Sequence, residues 1–201
     1  MANNDTPFGL RPVRHKSGQP YNGAVTHCYV PSSDSTAIFI GDPVVHVGDS
    51  NDNEIHGHPP GTLLEVTRAT VGDNQSISGV VVGVLADTQD STTYRAASTE
   101  RVLQVVTDPD VMFEIQADGT LTADSVGLNA VLIATHSGST VTGLSGIELD
   151  TTSDVPAADA SNQLLIHGLV PAVDNELASA NSKALVTLNT HTNVNGSLGI
   201  A

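Results

Sequence analysis

The chain has 201 residues, with 22 acidic against 7 basic side chains (net charge −15), 39% hydrophobic residues, 3% aromatic residues and no tryptophan. That length fits one large domain or two small ones around an aliphatic core. The charge disfavours nucleic-acid binding by the body, which needs clustered Lys and Arg, and the shortage of rings argues against a deep small-molecule pocket.

The chain opens on an arm, expected over residues 1–24, in which FGLRPVRHKSGQPYNGA (8–24) carries Arg11, Arg14 and Lys16, three of the seven basic residues. Pro12, Pro20 and three glycines exclude a helix there. Extended basic termini order by docking on something else. Phe8, Val13 and Tyr21 offer apolar surface, and Arg11 and Arg14 offer bidentate bonds to carboxylates. Pro12 biases Arg11 toward extended backbone, so the arm suits addition to an exposed sheet edge of a neighbour. The partner-binding residues expected are Phe8, Arg11, Arg14, Lys16 and Tyr21, with the arm gripping either a foreign surface or a sister subunit. Such an arm is expected to be separable: removing residues 1–22 should leave a folded body. The competing reading is a frayed tail.

Beyond the arm the signals are of strands. VTHCYV (25–30) is β-branched, and TAIFIGDPVVHVGD (36–49) is split by Pro43, which marks a strand start, a bulge or an edge. TLLEVTRA (62–69) follows. ISGVVVGVLAD (77–87) has no polar face and two glycines, so it predicts a strand buried on both sides with a bend. RVLQVVTD (101–108) leads through Asp108, Pro109 and Asp110 into VMFEIQADG (111–119), whose period of two gives one wetter face. LNAVLIAT (128–135), TVTGLSGIELD (140–150), QLLIHGLVP (163–171) and KALVTLNTH (183–191) read as further strands, with a short helix allowed at 175–181. The expected fold is all-β with little helix: the arm, a first β-rich module over 25–98 and a second barrel or sandwich over 99–201.

Few constellations carry chemistry. In the loop GDSNDNEIHGHPPG (48–61), Asp49, Asn51 and Asn53 have calcium-loop spacing. Glu54 stands where glycine is needed and Pro60 where glutamate is needed, so the loop fails as an EF-hand. His56 and His58 lack a third ligand. His27 and Cys28 face opposite sides of a strand and cannot pair as base and nucleophile. Ser145, in GLSG, lacks the nucleophile-elbow spacing, and turn chemistry accounts for Asp108 and Asp110. His46, His167 and His191 lie inside strand-like runs and suit interior or interface positions. The expectation is a non-enzyme with no catalytic residue, no cofactor and no metal. Cys28, the single cysteine, excludes an intrachain disulfide framework. No apolar run approaches the ~20 residues of a membrane span, and MANNDTPFG has no apolar signal-peptide region.

FGLRPVRHKSGQPYNGA, the following short strand, TAIFIGDPVV, ISGVVVGVLAD and VTDPDVMFEIQADG together resemble a family of small virion structural proteins of tailed bacteriophages. The resemblance spans most of the chain. It implies a capsid decoration or cement protein, β-rich and typically trimeric, made in the host bacterial cytoplasm and bound to the major capsid protein on the outer head surface. It implies no catalytic residue, and the charge and the lack of an apolar span add the expectation of no nucleic-acid or membrane partner. A tail- or fibre-associated host-binding protein is the alternative, weakened by the scarcity of aromatic platforms for sugars.

Overall fold

The computed structural model describes residues 3–194 and residue 196. The protein is all-β. Five strands close a barrel: β2 (Thr26–Val30), β3 (Pro43–Ser50), β4 (Leu64–Arg68), β5 (Gly79–Val84) and β6 (Arg101–Val106), in the order β2-β4-β3-β5-β6. β2 closes it by pairing antiparallel with β6 and parallel with β4. The barrel is narrow, so its interior is filled by short side chains: Cys28, Val30, Ile38, Val44, Val66, Val81, Leu103 and Val105.

Beside it lies a five-stranded antiparallel sheet in the order β1-β7-β12-β11-β8, formed by β1 (Arg11–His15), β7 (Val111–Gln116), β8 (Asn129–Ala130), β11 (Leu164–Leu169) and β12 (Lys183–Leu188). A small pair, β9 (Leu132–Ile133) with β10 (Glu148–Leu149), completes the strands, and one 3-10 turn spans Ala123–Ser125. Period-two alternation explains the sheet. Phe113 and Ile115 face inward with Ala184, Val186, Leu164 and Ile166, while Glu114 on β7 faces Leu185 and Arg11 across the neighbouring strands.

Two expectations change. The second module was expected to begin at residue 99, yet β6 belongs to the barrel, and the switch to the sheet comes at Asp108, Pro109 and Asp110. The two modules also share one core. Val80 and Val106, on barrel strands, pack in the same cluster as Phe113, Ile115 and Ile147. This is why 77–87 reads as buried on both faces: Val81 fills the barrel while Val80 fills the core outside it. β3 starts at Pro43, and β5 bends at a register shift between Val81 and Gly83. The run 140–150 yields strand only at Glu148–Leu149. Residues 175–181 form turns, with Ala178 and Asn181 at positive φ.

His191 sits where the C-terminal run returns to the barrel, bridging Ile77, and is 2% exposed. Burial holds its pKa below that of a free imidazole, opposed by the nearby carbonyls of Ser78 and Thr107; His46 deepens the depression and Asp108 opposes it. Its Nε2 and Nδ1 of His46 have no hydrogen-bond partner. With the folded pKa lowered, the stabilisation is present above the unfolded value near 6.5 and lost as pH falls through the folded one. The urea midpoint is therefore expected to fall between about pH 7 and about pH 5, and to fall less in His191→Gln. Urea titrations of both proteins across that range check this.

Candidate docking face at the N-terminal arm

The arm is an edge strand of its own chain. β1 pairs antiparallel with β7, Arg11 opposite Glu114 and His15 opposite Val111, with a bulge between Pro12 and Arg14. Its outer side is also occupied, because the chain doubles back: Tyr21 N–H donates to Val13 O at 3.1 Å and His15 N–H to Gln19 O at 2.8 Å. Strand addition to a neighbour is thereby replaced by strand addition to the chain's own second sheet, and the exposed edge that it would have needed is covered.

What fixes the arm is the seam with the barrel. Leu10 is 1% exposed within the shared core, and its N–H donates to Gly41 O at 2.9 Å. Gly9 and Gly41 both take positive φ, and a Cβ on Gly9 would sit 2.6 Å from Gly41 O and from Ser145 Cβ. Only glycine permits that approach. Beneath the seam Asp42 is fully buried; it accepts from the Ser145 hydroxyl at 2.5 Å and from Phe39 N–H at 2.9 Å, with Arg68 Nε at 3.4 Å. Burial raises its pKa against the opposing pull of Arg68 and these bonds. Ser145 thus serves the seam, its hydroxyl committed to the buried Asp42 carboxylate.

The five arm residues divide among three places. Phe8, Arg11 and Tyr21 line one apolar groove of about 290 Å³ with Ile40, Val82 and Leu144. Arg11 stacks over the Phe8 ring at 4.7 Å and pairs with Glu114 at 2.6 Å, and the Tyr21 hydroxyl donates to Ala24 O at 2.8 Å. Lys16 reaches Asp110 at 3.5 Å, and His15 reaches Asp108 at 3.4 Å, so the turn carboxylates anchor the arm. Arg14 stands apart. Among the described residues it is the one Lys or Arg side chain with no ion-pair partner. It borders a second cleft, about 430 Å³, with Val13, His167, Leu169 and Leu185. The sequence reading named Asp110 as a turn residue and His167 as an interior or interface one, but the placement of Glu114, Asp110 and His167 beside the arm was not legible, because it depends on contacts between residues about a hundred or more apart.

Elsewhere the loop 48–61 is held by Asn51, 1% exposed, whose amide donates to the carbonyls of Asn53 and Pro59 and accepts from Thr62 and Leu63 N–H. His56 turns to Asp87 at 2.6 Å and His58 to His27 at 3.2 Å, so the two imidazoles serve different partners. Cys28 is buried inside the barrel, where burial pushes its thiol up to about 11 and keeps it protonated. The sequence reading passed over Asp5, His136 and Glu148, which converge closely enough to offer three metal ligands. Their carboxylates are bridged by Gln116 Nε2, at 3.2 and 3.1 Å, and Glu148 accepts from the Thr135 hydroxyl at 2.7 Å. Gln116 also accepts from Thr6 N–H at 3.3 Å, so the network ties residues 5 and 6 to the sheet.

Compared with protein-family models, curated proteins and solved structures, the chain matches none.

Proposed function

We propose that the chain is a non-enzymatic virion structural protein that coats the outer surface of a tailed-phage head, binds the major capsid protein and bridges neighbouring capsomers. The observation that carries this reading is the groove beside the arm. Phe8 and Tyr21 are half-buried, Tyr21 against the shared core, and with Leu144, which is 37% exposed, they wall an open apolar groove. Three residues before Leu144 in the chain, Val141 is 89% exposed. An apolar groove on a strongly acidic chain suits an apolar segment of a shell protein. A ligand that binds only the mature lattice stabilises it by mass action, a role that the aliphatic all-β core can serve without a cofactor. Trimers on the head surface follow from the resemblance.

The test is co-sedimentation of the purified chain with undecorated mature heads. The wild type coats them. Leu144→Asp, which alters a groove wall and leaves the core intact, is expected to weaken coating at least about tenfold with an unchanged urea midpoint. Normal coating by this variant would remove the groove from the reading. Label found only at the tail tip of particles would favour the host-binding alternative.

A further inference from the structure

Among the described residues, the five-stranded sheet has an unpaired cation, Arg14, at one edge and unpaired carboxylates at the other. At one edge are β1 and its turn, with Arg11, Arg14 and Lys16. At the other, beyond β8, Ala157 exchanges both backbone hydrogen bonds with Asn129, at 2.9 Å each, which sets residues 154–159 along the opposite border. There Asp154 shares its surroundings with Asp73, Asp150 and Asp159. None of the four has a Lys, Arg or His partner among the described residues.

The edges also match in shape and polarity. The basic edge has a cleft floored by Val13, Leu169 and Leu185, with Arg14 and His167 at its rim. The one acid in that cleft, Glu114, is already paired with Arg11. The acidic edge projects Val155, 63% exposed, directly after Asp154. One edge thus has an apolar cleft beside an unpaired cation, and the other an apolar knob beside unpaired carboxylates.

We propose that copies of this chain associate head to tail through these edges, Val155 of one copy entering the cleft of the next and Asp154 meeting Arg14. A heterologous contact of this kind generates a ring when its rotation closes. Because both backbone edges are covered, the contact is made by side chains. Pairing the unmatched Arg14 with the crowded Asp154 relieves like-charge repulsion on the acidic side and supplies a carboxylate on the basic side. The association is independent of shell binding, which uses the groove on the other flank of the arm.

The test is sedimentation velocity of the purified full-length chain at low ionic strength over a micromolar-to-millimolar series, with no heads present. The wild type is expected to associate reversibly. Arg14→Glu makes the chain more negative and Asp154→Lys makes it less negative. If net charge governed association, the two would shift it in opposite directions. Edge pairing predicts that each weakens association at least about tenfold, and that combining both in one chain restores it to within about threefold. Val155→Lys, which replaces the apolar knob with a cation without touching Arg14, also weakens it. Far-UV circular dichroism and urea midpoints equal to wild type establish that each variant is folded. A wild type that stays monomeric throughout, opposite shifts from the two single reversals, or no recovery in the double variant would overturn the proposal. Head coating is scored separately, so loss of one property leaves the other readable.

Discussion

Replacing Arg95 by Met is expected to cost about 3–5 kcal/mol of folding stability, the largest effect of any single side chain outside the apolar core. Arg95 is 0% exposed. Its Nε donates to Thr99 O at 2.7 Å, Nη2 to the carbonyls of Pro31 and Asp34 at 2.7 Å each, and Nη1 to Thr36 O, with Asp34 Oδ1 at 3.7 Å. The guanidinium organises the loop 31–36, which closes one end of the barrel between β2 and β3. Methionine fills the volume but leaves those carbonyls without donors, and an unmade buried hydrogen bond costs more than a made one gains. The urea midpoint should drop by about 2 M at a typical slope for a chain of this size. Arg95→Lys should recover less than half, because an ammonium cannot meet a planar array of carbonyls in several directions. A midpoint shift below about 0.5 M would show that the loop is held by other contacts.

Deleting residues 1–22 is the second large effect, and the expected outcome reverses the one read from the sequence. A separable arm would leave a stable body. Here Leu10 is 1% exposed in the core shared by barrel and sheet. Its loss alone corresponds to a large-to-small core change of about 2–5 kcal/mol. The deletion also removes β1 from β7, uncovering an edge made of alternating apolar residues, and strips the partners of Glu114, Asp108 and Asp110. The truncated chain is expected to be destabilised by more than about 4 kcal/mol and to aggregate through the bare β7 edge. Thermal unfolding with light scattering measures both. A truncated chain that stays soluble with a wild-type midpoint would restore the idea of an independent arm. The deletion is therefore a poor probe of docking, and surface substitutions such as Leu144→Asp and Arg14→Glu are the ones that separate binding from folding.

The strand content was legible because it rests on local rules. Alternation in VMFEIQADG, the double-sided valines of ISGVVVGVLAD and the proline opening β3 each act within a few residues. The all-β class and the aliphatic core follow from these and from the near-absence of rings. The same locality explains the errors. RVLQVVTD carries nothing that says whether it closes a first barrel or opens a second module; β2 pairs with it from some 75 residues upstream. TVTGLSGIELD has the composition of a strand, but Gly143 at positive φ, Gly146 packed 2.5 Å (as a hypothetical Cβ) from His136 O, and Ser145 committed to Asp42 turn most of it into a wall of the seam.

The arm shows the division most clearly. By itself the sequence determined that residues 8–24 are non-helical and basic, since proline, glycine and charge act on the chain where they stand. Only the tertiary structure decided what that arm meets. Register set Arg11 against Glu114 and Lys16 against Asp110, and the glycine-to-glycine contact at the barrel put Leu10 in the core. Those are contacts between residues far apart in sequence, and their energies depend on distance and burial, which no local pattern encodes.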